Sequence, residues 1–272
     1  MIHKYIVKTP LAHMYAEPRL YSEITDELLY GTTLFSLNES FTDMLYCETT
    51  YGYRGFIQKK KLFSVVGNNS KELYTVTSRF CDVLPLPEYK FKPIYTLSYG
   101  STIEKSSPFS SVNGFTDIDV FGKRFFVKEN CITKKENLVA ITDQERKRKS
   151  IVSTALSYID TPYRHGGKSS FGIDCSGLCF MSYTLNGLDL WRDSVPDARY
   201  VVQIPREELK EGDLIYYKGH VTMYIGENKY IHSSATFGKV LINSFDKNSP
   251  LYYEKLSEGI ILCARSRKLC NE

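Results

Sequence analysis

The second half of the chain contains a cysteine in the surroundings of a nucleophile. Cys175 stands between an aspartate and a Ser-Gly pair, and the apolar run after it predicts a buried helix over 176–185. At a helix N-terminus, unpaired backbone N–H groups and the helix dipole favour negative charge, which lowers the pKa of a thiol. The sequence therefore predicts that Cys175 is a thiolate nucleophile. Cys179, one turn later, is predicted to be a buried structural cysteine.

Two histidines downstream offer the base that such a nucleophile needs. His220 opens a predicted strand over 220–225, and His232 closes another over 230–232 after a Gly-Glu-Asn turn. Antiparallel pairing of these strands would bring the two imidazoles close together. We predict that His220 is the general base and that His232 fixes its tautomer, as the third member of a catalytic triad does.

The same residues also raise the alternative of a metal site. Cys175, Cys179, His220 and His232 are all metal-ligand types. Their spacing, CxxxC followed by two histidines with eleven residues between them, does not resemble the usual zinc patterns. We therefore expect no metal and no organic cofactor.

The composition describes an ordinary folded protein and disfavours some partners. The 272 residues are 42% hydrophobic and 24% charged, and the net charge of +4 does not indicate nucleic-acid binding. The basic run 146–149 is predicted to be the solvated first turn of a helix. Seven scattered cysteines without a CxxC pair are typical of a reducing compartment. No apolar run follows Met1 and no window reaches about 18 apolar residues, so we expect a cytoplasmic protein without a membrane segment.

The first half of the chain consists of short β-like runs that repeat. Strands are predicted over 4–7, 13–15, 28–37, 44–49 and 53–58. The stretch 28–34 resembles 97–103 at an offset of 69, Pro18 corresponds to Pro87 at the same offset, and 53–57 resembles 123–127 at an offset of 70. A shared offset predicts two copies of one β module, over 1–66 and 72–137, joined at Val66–Ser70.

The remaining residues, 138–272, predict an α+β domain. A helix is expected over 137–159, with Thr142 as its N-cap and Glu145 completing a capping box, and Thr161-Pro162 after it. After the cysteine helix, β runs are predicted over 213–217, 220–225, 230–232, 239–243 and 260–265. Helices followed by an antiparallel sheet are typical of the α+β class.

Several motifs together resemble the NlpC/P60 family of cell-wall cysteine peptidases. They are YRHGG from Tyr163, DCSG from Asp174, GDL from Gly212, GHV from Gly219 and IH from Ile231. With two modules of the bacterial SH3 type in front, the whole chain resembles the YkfC-like γ-D-glutamyl-L-diamino acid endopeptidases. The resemblance implies a papain-like catalytic domain, with the cysteine helix packed on an antiparallel sheet, preceded by two small all-β barrels of the SH3 type.

The resemblance also implies a reaction. Cys175, with His220 as base and His232 as orienting residue, would cleave the bond between γ-D-Glu and the diamino acid of a murein stem peptide, either meso-diaminopimelate or L-Lys. Tyr163 would hold the site or the tetrahedral oxyanion. Asp174 and Ser176 belong to the matching motif, and Ser176 corresponds to a position that touches the substrate.

A pocket for a free amine is the last feature that the resemblance implies. Asp193, followed by Ser194 in an Arg-Asp-Ser stretch, would bind the α-amino group of the N-terminal L-Ala, and Glu23 and Tyr53 of the first module would complete the pocket. A buried ammonium needs a paired carboxylate. A peptide still attached to glycan has an uncharged amide there, would leave the acidic groups unpaired, and would be rejected.

Several interpretations follow from these features. The favoured one is a cytoplasmic, monomeric peptidase that trims free murein peptides for recycling. The alternatives are a hydrolase of the same chemistry on intact peptidoglycan, a wall- or peptide-binding protein with an inactive peptidase domain, and an acyltransferase on the same scaffold. The choice between diaminopimelate and lysine stays open. His165 adds a third histidine near the cysteine in sequence, which competes with His220 for the role of base.

Overall fold

The chain divides into two compact units, Met1–Asn137 and Leu138–Glu272, and a short helix, α1 (Lys135–Val139), spans the division. The computed structural model describes residues 3–65, 72–105 and 111–270. The joint predicted at Val66–Ser70 lies outside the described residues.

Seven antiparallel strands form one sheet in the first half of the first unit. They are β1 (Lys4–Val7), β2 (Leu11–Tyr15), β3 (Ile24–Leu29), β4 (Thr33–Ser40), β5 (Met44–Thr49), β6 (Arg54–Gln58) and β7 (Leu62–Ser64). Their order in the sheet is β3-β2-β6-β5-β4-β1-β7. Because side chains alternate between the two faces of a strand, these strands share one buried apolar core, which includes Val7, Met14, Leu28, Leu34, Cys47 and Ile57.

The single strand predicted over 28–37 is wrong, because a turn divides it. Gly31 has a φ of +80° in this turn, a conformation that favours glycine. The strands on its two sides, β3 and β4, then pair with different neighbours, β2 and β1. The apolar run continues through the turn, which is why the sequence pattern did not reveal the break.

The second half of the first unit also consists of strands. They are β8 (Leu73–Val76), β9 (Phe80–Val83), β10 (Tyr95–Ser98), β11 (Thr102–Lys105), β12 (Ser111–Val112), β13 (Phe115–Val120), β14 (Lys123–Lys128) and β15 (Ile132–Lys134). β9 and β10 form one two-stranded sheet, and the others form a second sheet. All their pairings are antiparallel.

The strand pairings in the two halves of the first unit correspond at several places. In the first group, β2 pairs with β3, β1 pairs with β4 and β7, and β5 pairs with β4 and β6. In the second group, β9 pairs with β10, β8 pairs with β11 and β15, and β13 pairs with β11 and β14. These pairings correspond strand for strand, whereas β2 also pairs with β6 and β13 also pairs with β12. The division into two copies of one module stays a prediction.

The two copies share a packed boundary within the first unit. The backbone N–H of Thr102 donates to the carbonyl oxygen of Tyr30 at 2.9 Å, and the Tyr30 side chain belongs to the core of the second copy. A Cβ on Gly31 would lie 2.0 Å from the carbonyl oxygen of Thr102, so no larger residue fits there. This contact makes the two copies one compact unit, and their division into separate domains over 1–66 and 72–137 stays a prediction.

The second unit is built of helices and one large antiparallel sheet. Its helices beyond α1 are α2 (Gln144–Leu156), α3 (Cys175–Thr184) and α4 (Glu254–Glu258). Its strands are β16 (Lys168–Ser169), β17 (Gly172–Ile173), β18 (Val201–Ile204), β19 (Leu214–Tyr217), β20 (His220–Gly226), β21 (Lys229–Ser234), β22 (Lys239–Ser244) and β23 (Leu262–Ser266). The main sheet has the order β18-β23-β19-β20-β21-β22, and α3 packs against α2, β20 and β21. None of the described helices is long and apolar enough to span a bilayer.

Two details of α2 differ from the prediction. Its N-cap is Asp143, whose carboxylate accepts from the N–H of Arg146 at 2.8 Å, so the capping box from Thr142 is wrong. An aspartate cap is favoured because its charge faces the positive end of the helix. The basic run is also not wholly solvated. Arg148 is buried and donates to Asp213, which Arg265 also contacts, so its charge is paired inside the unit.

Candidate active site

Cys175 is the first residue of α3, and the sequence around it explains why the helix begins there. The Asp174 carboxylate caps the helix by accepting the N–H of Gly177 at 2.6 Å. A Cβ on Gly177 would lie 2.3 Å from the carbonyl oxygen of Gly167. The glycine therefore lets the first turn pack directly on the preceding loop, and this fixes the position of the thiol.

A buried arginine holds the same turn from the other side. Arg192, which is 1% exposed, donates to both carboxylate oxygens of Asp174 at 3.0 Å and to Oγ of Ser176 at 2.9 Å. It also donates to the carbonyl oxygens of Gly166 and Gly167 at 2.8 and 3.3 Å. A buried ion pair is tolerated when it is bidentate and its remaining donors are satisfied. The polar atoms of Asp174 and Ser176, residues predicted to bind substrate, thus contact protein groups.

His220 and His232 form a relay that extends to a third residue. Nε2 of His220 lies 2.9 Å from Nδ1 of His232, and Nε2 of His232 lies 2.9 Å from Oδ1 of Asn243 on β22. The amide nitrogen of Asn243 donates to the carbonyl oxygen of Leu251 at 3.0 Å, so its oxygen faces the imidazole.

The relay determines where the protons lie. An amide oxygen only accepts, so neutral His232 carries its proton on Nε2 and accepts at Nδ1. His220 therefore donates from Nε2, and its Nδ1 is left without a proton. That nitrogen can accept one from a reacting group. These proton positions follow from the distances and from the donor or acceptor character of the atoms.

A cavity of about 340 Å³ brings several of the predicted residues together. Cys175, His220, His232 and Tyr163 all line it, with residues of the β19–β20 turn, the β21–β22 turn and α4. The backbone groups of Val221 and Ser176 act to lower the pKa of the Cys175 thiol. The predicted nucleophile, base, orienting residue and tyrosine therefore meet at one concave surface, and their catalytic roles stay predictions.

Burial governs the protonation of the thiol, contrary to the prediction of a lowered pKa. Removal from water and, to a lesser extent, the Asp174 charge raise the pKa of Cys175 to about 11, although the backbone groups of Val221 and Ser176 and the Arg192 charge act in the opposite direction. The carboxylate that caps α3 therefore offsets the helix dipole. At neutral pH the resting residue is a thiol rather than a thiolate.

Burial also keeps the histidines neutral. It lowers the pKa of His220 to about 3, with the charges of His232 and Lys255 acting in the same direction, and it lowers the pKa of His232 to about 4. The pKa of Tyr163 is raised by burial and by the nearby Cys175, so its phenol keeps its proton. The site at neutral pH thus contains an uncharged thiol, an uncharged base and a hydrogen-bond donor.

The other predicted site residues of the second unit do not line this cavity. Asp193 and Ser194 follow Arg192 in the loop between α3 and β18, are half-buried and do not line the cavity. His165 is exposed and does not line it either. Glu23 and Tyr53 belong to the first unit. Glu23 precedes β3 and is exposed, and Tyr53 precedes β6 and packs partly buried against the first core.

Two polar residues of the site were missed as contributors. Arg192 was noted only as part of the Arg-Asp-Ser stretch, although it holds the start of α3. Asn243 went unnoticed, yet a polar residue within an apolar strand (Val-Leu-Ile-Asn) that neighbours the histidine strand was a usable signal. Within the described ranges, no group of three or more His, Cys, Asp or Glu side chains is arranged to hold a metal ion.

Comparison with known proteins is consistent with this site. The model of the NlpC/P60 family matches residues 160–256, which include α3 and both histidines. Dipeptidyl-peptidase 6 of Lysinibacillus sphaericus is 37% identical over 263 residues, covering 94% of this chain and 96% of that protein. The γ-D-glutamyl-L-lysine dipeptidyl-peptidase of Bacillus subtilis is 32% identical over 133 residues, covering 46% of this chain and 43% of the relative.

A solved structure agrees over almost the whole chain. An NlpC/P60 family protein from Bacillus cereus superposes with a TM-score of 0.77 at 21% identity, covering 96% of this chain and 99% of that one. The chain belongs to the NlpC/P60 family. The predicted α+β fold of that family is confirmed. The protein is a peptidase.

Proposed function

We propose that this protein is a cysteine peptidase that hydrolyses the bond between γ-D-Glu and the diamino acid of free murein stem peptides. The observation that carries the proposal is the convergence of Cys175, His220 and His232 on one cavity. The names of relatives support the substrate class, since one relative is a γ-D-glutamyl-L-lysine dipeptidyl-peptidase.

The first half of the reaction starts from the uncharged Cys175 thiol and the uncharged His220 imidazole. The Cys175 sulfur attacks the scissile carbonyl carbon while Nδ1 of His220 takes the thiol proton. The Tyr163 hydroxyl, which keeps its proton, donates to the oxyanion that forms. The carbon–nitrogen bond then breaks, and His220 returns the proton to the leaving amine. The γ-D-Glu acyl group remains on sulfur as a thioester.

The second half releases the acyl group. Water attacks the thioester carbonyl as His220 takes one of its protons, the carbon–sulfur bond breaks, and the proton returns to Cys175. His232 stabilises the transient imidazolium through its Nδ1, which accepts from Nε2 of His220. Asn243 holds His232 in the tautomer that makes this possible.

We also propose that the first unit consists of two modules of the SH3 type and that the first one helps to bind the free amine of L-Ala. Asp193, Glu23 and Tyr53 are the candidate partners. The two copies differ at the residues proposed to bind the amine. The positions 69 and 70 residues after Glu23 and Tyr53 are Lys92 and Lys123. A lysine ammonium has no hydrogen-bond acceptor that could bind another ammonium, so the second copy would not bind the free amine.

We further propose that the enzyme acts as a monomer in the cytoplasm, in peptide recycling. All seven cysteines are free thiols, which is compatible with a reducing compartment. Detection of the protein in cell fractions would test the location. Recovery with the envelope rather than with the cytosol would favour the alternative of a hydrolase on intact wall.

Mass spectrometry of cleavage products tests the proposal. The substrate is L-Ala-γ-D-Glu-diaminopimelate, compared with its N-acetylated twin and with a Cys175→Ala control. We expect release of L-Ala-D-Glu from the free-amine peptide only. Equal cleavage of both peptides would contradict the proposed amine pocket but would still support a peptidase. No cleavage of either peptide by wild type would leave a binding protein as the better account.

A further inference from the structure

Two unpaired ammonium groups flank the cavity that contains Cys175. Lys218 lies in the tight turn between β19 and β20, Lys255 lies in α4, and both line the cavity. Over residues 3–65, 72–105 and 111–270, neither lysine has an acidic partner, and no acidic side chain lines the cavity. Other lysines of this unit do pair, as Lys229 does with Glu227 at 2.7 Å. The lining of the cavity therefore includes two ammonium groups and no carboxylate.

Both lysines line the same cavity as His220, the base of the proposed reaction. His220 returns a proton to the departing amine, so the departing residue has to lie beside this imidazole. Lys218 is two positions before His220, and the charge of Lys255 acts on the same imidazole. Asp193, the candidate partner of the peptide's N-terminus, does not line the cavity. In the proposed reaction the released residue would therefore lie against these two lysines.

We propose that Lys218 and Lys255 form a carboxylate-binding subsite, which selects a leaving diamino acid with a second carboxylate at its distal end. This inference rests on the proposed function and specifies its substrate. Diaminopimelate presents such a carboxylate, which can accept charge-assisted hydrogen bonds from an ammonium. Lysine presents only a further ammonium, which meets two like charges without an acidic group to offset them.

The chemistry distinguishes three otherwise similar substrates. In a diaminopimelate peptide with the distal carboxylate converted to a carboxamide, shape is retained and the charge is lost. We expect kcat/KM to be highest for the carboxylate peptide, about tenfold lower for the carboxamide and lower again for the lysine peptide, because charge complementarity selects among ligands of one shape.

The test measures kcat/KM of wild type and variants on L-Ala-γ-D-Glu peptides ending in diaminopimelate, its distal carboxamide or lysine. Lys218→Gln and Lys255→Gln should each reduce the ratio of carboxylate to carboxamide cleavage, and the double variant should bring it close to one. Lys229→Gln, which removes an ammonium away from the cavity, should leave the ratio unchanged.

A charge-reversal variant distinguishes loss of the subsite from loss of folding. Lys255→Glu should increase cleavage of the lysine peptide relative to the diaminopimelate peptide, and a misfolded variant cannot produce such a gain. Equal cleavage of the three peptides by wild type, or ratios unaffected by the lysine variants, would overturn the subsite while leaving the peptidase intact. Absence of cleavage of all three by wild type would instead remove the proposed function and the subsite with it.

Discussion

The cysteine side and the histidine side of the candidate active site are both buried, but different kinds of interaction hold them. On the cysteine side, Asp174 and Arg192 form a bidentate ion pair, and Arg192 also donates to two backbone carbonyl oxygens. On the histidine side, His220, His232 and Asn243 form a chain of uncharged groups. Charges are fixed where the helix must begin, and neutral groups lie where a proton must move.

This difference follows from the cost of burying charge. A buried ion needs a fixed partner, because removing that partner leaves an uncompensated charge in a medium of low polarity. A proton relay needs groups that change charge during the reaction and return to neutrality. We infer that the ion pair determines stability and thiol position, and that the relay determines protonation.

The largest effect is expected from removing the base. His220→Ala should lower kcat/KM by roughly 10³- to 10⁴-fold, the upper part of the range for a lost general base, with little change in Tm. His165→Ala, a change at an exposed histidine outside the cavity, is the matched control and should retain activity. Steady-state cleavage and thermal unfolding of both variants check this. A loss of activity in His165→Ala but not in His220→Ala would show that His165, and not His220, is the base.

Breaking the ion pair should act on stability. Arg192→Met leaves the buried Asp174 carboxylate unpaired and should lower the free energy of unfolding by about 3–5 kcal/mol. Urea unfolding provides the measurement. Arg199→Met removes an exposed arginine that makes a bidentate contact with Asp197, and it should lower the free energy of unfolding far less, because exposed ion pairs contribute little to stability. Similar losses in the two variants would contradict a structural role specific to Arg192.

Breaking the relay at its far end should act mainly on protonation. Asn243→Leu removes the acceptor that orients His232, and we expect kcat/KM to fall, but by less than in the variant that lacks the base. Asn243→Asp keeps an acceptor but adds a charge that raises the pKa of His232. It should recover part of the activity and move the acidic limb of the pH–rate profile. Unchanged profiles in both variants would make Asn243 a packing residue only.

The last prediction concerns the resting protonation of the thiol. Because the pKa of Cys175 is raised to about 11, its thiolate fraction should increase about tenfold per pH unit from pH 6 to pH 10. The alkylation rate of Cys175 by a small reagent, followed by peptide mapping, should rise in parallel. A plateau below pH 7 would instead indicate a thiolate–imidazolium pair in the resting enzyme.

Local patterns were sufficient to predict several parts of the site. The apolar run after Cys175 predicted α3, and the Gly-Glu-Asn turn predicted the hairpin that places His220 beside His232. The 69-residue offset predicted the duplicated β module. These features depend on neighbours in sequence or on periodicity, which a single sequence contains.

Long-range contacts and burial could not be predicted in this way. The partners of Arg192 and Arg148 are 18 and 65 residues away in sequence, and nothing local indicates that these charges are buried. The pKa of Cys175 was predicted in the wrong direction because the helix dipole is a local property, whereas burial of the thiol depends on the whole unit. The Gly31 turn was missed because the residues on both sides of it are apolar.

Detection of the acyl-enzyme is the most direct test of the central claim that Cys175 attacks the substrate with His220 as base. The enzyme is mixed with a free-amine stem peptide, quenched in acid within milliseconds and mapped by mass spectrometry. We predict a thioester of L-Ala-γ-D-Glu on Cys175, slower to form in His220→Ala and absent in Cys175→Ala. Cleavage that proceeds without this adduct in wild type, or that persists in Cys175→Ala, would contradict the claim.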